Sequence, residues 1–145
     1  MYTMNSHKEY LANKVKTASP VELIVILCDA TVSFLEAAKG CWVERDMIGA
    51  TERIIKAQRC IREFKQSLNL KDGKEIAENL LGLYQFMDRS LTMASVSKET
   101  APVDRVIRML QGLRESWAEI AKKQVPEAVM TQSQLVGASY INIYK

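Results

Sequence analysis

The chain has 145 residues, 20 Lys and Arg against 17 Asp and Glu for a net charge of +3, one histidine and three cysteines. That length suits a single domain able to bury a core of its own, and so small a charge excess singles out neither nucleic acid nor an acidic membrane. The odd set Cys28, Cys41 and Cys60, with no close pair, argues against a disulfide framework and a zinc site and suits small buried hydrophobes in a reducing compartment.

The N-terminal stretch carries His7, Lys8, Glu9, Lys14 and Lys16 among scattered apolar residues, unlike a signal peptide. Asp29 and Glu36 interrupt the most apolar region before it reaches the roughly 20 residues of a membrane span. A cytosolic protein without membrane insertion is expected.

The first strong helix signal is Ser19-Pro20, where the Ser19 hydroxyl can accept from the N–H of Glu22 while the Glu22 carboxylate reaches back, as in a capping box. From Pro20 to about Glu44, a helix is predicted whose first two turns, Val21 to Cys28, are apolar almost all round and must be covered on several sides. Phe34, Leu35, Ala38, Cys41 and Trp42 then narrow to one stripe.

Asp46 is a good N-cap for a second helix carrying Ala50, Ile54, Ala57, Ile61, Phe64 and Leu68 at alternating steps of four and three. After a turn at Asn69 to Gly73, a third helix repeats the rhythm through Ile76, Leu80, Leu83, Met87, Leu91 and Ala94. Ser95 to Thr100 link it to a fourth, with Val103, Val106, Leu110, Leu113, Trp117 and Ile120 on its inner face. Four such helices with short links predict an all-α, antiparallel up-down four-helix bundle.

Ala128 to Tyr144 is different: 17 residues without a charge, including Leu135, Val136, Tyr140, Ile141, Ile143 and Tyr144. This composition is unlike a solvating tail, so the segment is expected to pack on its own bundle, on a neighbouring copy or on a partner. Gln134 to Tyr144 is a candidate for lying in a groove and imitating a bound segment.

No chemistry is legible. A di-iron site in a bundle needs a Glu-x-x-His pair from each of two helices, and His7 lies ahead of the bundle. Serine or cysteine nucleophiles lack a histidine partner, and the six glycines stand singly, never in a phosphate-loop context. Arg53, Lys56, Arg59, Arg62 and Lys65 advance by threes and so spiral around their helix rather than forming a nucleic-acid face. No catalytic residue, metal or cofactor is expected. A binding function remains, supported by apolar residues beyond what the seams need: Tyr10, Leu11, Val15, Ile24, Val25, Ile48 and Ile55.

Tyr10, Asn13, Val15, Thr17-Ala18-Ser19-Pro20, Glu22-Leu23, Leu27, Asp29 and Phe34-Leu35 together resemble the signature of the FliS flagellar secretion chaperones. Asp46, Ile54-Ile55-Lys56-Ala57-Gln58, Leu83-Tyr84, Met87 and Leu110 to Trp117 extend the resemblance over about residues 8–124. Where that family usually has tyrosine, aspartate and glycine, this chain has Cys28-Asp29-Ala30; the cysteine lacks an aromatic contact and a hydroxyl that serve either core packing or partner contact.

The resemblance implies a movable N-terminal cap at 1–18 ahead of the bundle at 19–124; the uncharged tail at 125–145 is a third part that lies outside the resemblance. The resemblance also implies a non-enzymatic chaperone whose partner is the disordered C-terminal region of flagellin, bound one to one, with the export apparatus or a co-chaperone as further partners. A helical adaptor for another export or signalling partner is the alternative. By the motif, Tyr10, Leu11, Asn13 and Val15 belong to the cap and adjoining surface. Leu23, Ile24 and Leu27 support the groove or the core, Ile55 completes the partner-binding set, and Asp29 makes a structural hydrogen bond.

Overall fold

The computed structural model describes residues 2–122, which form five helices: α1 (Tyr2–Thr17), α2 (Pro20–Val43), α3 (Met47–Gln66), α4 (Leu70–Ser97) and α5 (Thr100–Lys122). The tail at 125–145, together with the side chains of Leu11, Val15 and Ile120, lies outside the described residues. No strand occurs among those described.

The cap segment contains a helix, which its scattered apolar residues did not signal. The Thr17 hydroxyl bonds back to the carbonyls of Asn13 and Lys14 at its last turn. The helix stops because a residue before proline is driven out of the helical region, and Ser19 is accordingly extended at φ −69° and ψ 165°. Its hydroxyl accepts from Glu22 N at 3.2 Å and starts α2.

The other four helices close a ring in which α2 and α4 each pack on both α3 and α5. Paired residues fix the directions. Lys39 meets Asp104 and Asp29 meets Arg114, so α2 and α5 run antiparallel. Phe34 meets Lys56 while Thr31 meets Cys60, and Gln58 meets Thr92 while Phe64 meets Tyr84, giving the same sense to α2/α3 and α3/α4.

Leu23, Leu27 and Leu35 of α2, Ile54, Ile61 and Phe64 of α3, Tyr84, Met87 and Leu91 of α4, and Val103, Val106 and Leu110 of α5 are fully enclosed. Burial of each such side chain stabilises the fold by roughly 1.5–3 kcal/mol. The alternating steps predicted for α3, and those for α5 as far as Trp117, therefore face inward. On α4 one predicted core residue does not: Ile76 is 61% exposed, and Ala77 and Tyr84 take the inner positions. The cause is local. Leu70 to Gly73 form a single turn capped by Asn69, and Lys74, at φ 50° and ψ −129°, breaks the helix, so Ile76 sits in the first turn after the break.

Other boundaries move slightly. Glu44 is the C-cap of α2 rather than its last residue, and α5 begins at Thr100, which puts Pro102 in its first turn and leaves only Lys98 and Glu99 as a link. Pro126 lies outside the described residues.

Asp46 caps α3 through Oδ1, which accepts from Gly49 N at 2.9 Å. A Cβ on Gly49 would collide with that carboxylate, so cap and glycine form one device. Asp46→Ala and Gly49→Ala are each expected to lower unfolding free energy by about 1 kcal/mol. In urea denaturation the double variant should lose little more than either single one; full additivity would show the two acting separately.

Candidate partner-binding surface

Cys28 and Cys60 are buried, and burial pushes each thiol up to about 12. The negative charge of Asp29 raises Cys28 further, whereas the hydroxyl of Thr31 partly offsets the rise at Cys60. That hydroxyl itself donates to the Leu27 carbonyl at 2.7 Å. The Tyr84 phenol is also pushed up, by burial and by nearby Cys28, and its ring stacks on Phe64 with centroids 5.1 Å apart. These groups stay protonated at neutral pH and serve packing. Cys28, at the position where the resemblance leaves core packing and partner contact open, is a core residue in this chain.

Among the described residues no group of three His, Cys, Asp or Glu side chains converges as a metal would require, and no helix is long and apolar enough to cross a membrane. Asp29 has the structural role expected of it: Arg114 donates from Nε to Oδ1 at 2.6 Å and from Nη2 to Oδ2 at 3.4 Å, joining α2 to α5. Both side chains are substantially exposed, so the pair aligns the helices more than it stabilises them.

The expected partner-binding residues separate by location. Tyr10 and Asn13 are exposed on α1, and Ile55 is exposed on α3. Leu23, Ile24 and Leu27 are core residues of α2, which places them beneath any surface rather than on it. For Leu11 and Val15 only the helical backbone is described. Of the six whose side chains are described, Leu23, Ile24 and Leu27 therefore lie in the core, and Tyr10, Asn13 and Ile55 lie on the exterior without being brought together.

Outside the bundle, apolar side chains fall on two faces. Ile48 and Ile55 are seven residues apart on α3, hence on one stripe, and are 76% and 44% exposed. They lie on the flank of α3 toward α4, whose Thr92 meets Gln58 and whose Val96, one turn farther, is also exposed. The second face runs on from there around α4 toward α5, where Phe86 and Met93 are exposed. Sequence reasoning singled out Ile48 and Ile55 but passed over Phe86, Met93 and Val96. The signal was available, since all three fall off the seam through Met87, Leu91 and Ala94.

The family described as Flagellar protein FliS matches residues 3–124. The chain is 32% identical over 128 residues to the flagellar secretion chaperone FliS of Salmonella typhimurium, a match covering 85% of this chain and 95% of that relative. With the chaperone FliSB of Pseudomonas aeruginosa it shares 31% identity over 126 residues, covering 83% and 99% of the two chains. With FliS of Bacillus subtilis it shares 27% over 124 residues, covering 86% and 92%.

The buried thiols make a pH prediction. Below about pH 9, the ordinary thiol value, folded and unfolded states both keep these protons, and stability is unaffected. Between there and about 12 the unfolded chain releases protons that the folded chain retains, so stability falls as pH rises. Urea midpoints should be flat in this respect from pH 7 to 8.5 and drop above 9, and the drop should shrink in Cys28→Ala and Cys60→Ala. At pH 8 a thiol reagent should label half-buried Cys41 promptly and the other two only on unfolding; prompt labelling of all three would contradict this packing.

Proposed function

Because the chain belongs to the FliS family of flagellar secretion chaperones, we propose that it binds the disordered C-terminal region of flagellin in the cytosol, one to one. Binding holds the subunit unpolymerised until it reaches the flagellar export apparatus. The observation that carries this reading is the placing of Ile48, Ile55, Met93 and Val96 on the outside of a bundle whose core is already closed. A bundle that worked alone would gain nothing from them, whereas a flexible amphipathic segment lays apolar faces on such surfaces and folds as it binds.

Ordering a disordered segment costs about 2–5 kcal/mol or more of the gross interaction, so the contact has to be extended. Two apolar faces on different sides of the bundle suit a segment that wraps rather than one that enters a pocket. In this reading Ile55 touches the partner directly, as do Tyr10 and Asn13 from α1. Leu11 and Val15 belong to the same movable cover, and Leu23, Ile24 and Leu27 hold the floor on which it rests. Occupancy alone suppresses assembly by mass action, with no nucleotide and no covalent step.

Calorimetric titration with a peptide of about 40–60 residues from the C-terminus of flagellin should give unit stoichiometry, a negative heat-capacity change and added helicity. Replacing Ile48 and Ile55 by aspartate should weaken binding at least about tenfold, because each buried isoleucine supplies roughly 1.5–3 kcal/mol. Both residues are exposed, so the melting temperature should hold. Undiminished affinity in that variant would remove α3 from the binding surface, and absence of any binding would move the assignment to an adaptor for another export partner.

A further inference from the structure

The outer edge of the α4/α5 contact is an apolar groove that no described helix covers. Ile76, Leu83, Phe86 and Met93 follow one another on α4 at steps of seven, three and seven, a single helical stripe. Met109 and Leu113, four apart on α5, form the opposite wall. The polar pairs identify the side. Asp88 and Thr92 occupy the flank of α4 toward α3, and Asp104 and Arg114 occupy the flank of α5 toward α2, so these six residues line the remaining edge. Ile76 and Met93, at its two ends, are 61% and 68% exposed.

Gly82 and Gly112 stand on the outer rims of the same groove, in mid-helix, where glycine costs roughly 1 kcal/mol against alanine. An added Cβ on either would meet nothing within 4 Å, so the bundle's own packing requires neither. A chain lying close along the groove would give both a purpose.

The tail meets the requirements of that occupant. α5 ends at Lys122, and in the antiparallel pair this is the end of the groove where α4 begins and Ile76 lies. The chain continues there into the 17 uncharged residues Ala128 to Tyr144. As a helix that segment spans about 26 Å, close to the length of the 18 residues of α4 from Ile76 to Met93, and extended it reaches farther. Lys123 to Glu127 supply a five-residue link, enough for the chain to reverse. The family match ends at residue 124, so the segment lies outside what the chain shares with its family.

We propose that residues 128–144 dock along the α4/α5 groove of their own chain. A short tether gives an effective concentration in the millimolar range, which favours the chain's own tail over a second copy at micromolar protein. Any partner segment using this groove must displace the tail and so binds with lower apparent affinity. The inference rests on groove and tail alone and stands whether or not flagellin is the partner.

Amide spectra of the full chain should be compared with those of a full-length variant carrying Ile141→Asp and Ile143→Asp, with sedimentation of both. We expect shifts along residues 76–93 of α4 and 109–116 of α5, with both proteins monomeric. The core residues Leu23 to Trp117 lie within the described bundle, so a chain ending at Gln124 keeps them all; adding a peptide of residues 125–145 to it should restore the shifts. Independently, Met93→Asp in the full chain should raise hydrogen exchange of the tail at least tenfold. Shifts confined to the tail, shifts on α1 or α3 instead, unchanged exchange in Met93→Asp, or a dimer that only the intact tail sustains would each overturn the proposal.

Discussion

Leu23, Ile24, Ile26, Leu27, Cys28 and Ala30 are all buried within three turns of α2, and a helix apolar around so much of its circumference cannot be left on a surface. Enclosing it draws α3 and α5 to its two sides, and the short links then oblige α4 to complete the ring against both. The Ser19 cap and the Pro20 that follows it set where this helix begins. They also turn α1 away, leaving most of its described side chains in solvent. In this sense the apolar run of α2 organises both the bundle and the segment that precedes it.

The polar groups work around that core rather than within it. Lys39–Asp104, Asp29–Arg114 and Lys65–Asp88 are partly exposed pairs between helices, each contributing at most about 1 kcal/mol, and their value lies in selecting one register among several that apolar packing alone would tolerate. Inside, the polar atoms are satisfied locally, as where Thr31 donates to the Leu27 carbonyl, and the thiols are held protonated by burial. Among the described residues this interior is given over to packing. It holds apolar side chains at fixed spacing on a rigid exterior, and recognition by area is what such an exterior supplies.

That exterior gives a consistent account of a chaperone in this family. Exposed apolar residues spread over α3 and around the outer surface of α4 suit an elongated, wrapping partner more than a compact one. On the proposed docking, the uncharged tail would be an internal competitor for part of that surface, and apparent affinity would depend on how much of the partner's segment reaches it.

The sequence by itself determined the helical class, the starts of α2 and α3, and nearly every inward residue of α2, α3 and α5. Local capping chemistry and a step of three or four residues act over one or two turns and need no knowledge of neighbours. Tertiary structure alone decided that Asp29 pairs with Arg114, since those residues are 85 apart in the chain and only the register of α2 on α5 joins them. It decided that Ile76, in the first turn after the break at Lys74, is exposed, and that Ile24 is core while Ile55 is surface. Periodicity assigns a residue to a stripe, but how wide a stripe is covered depends on which helices lie alongside it.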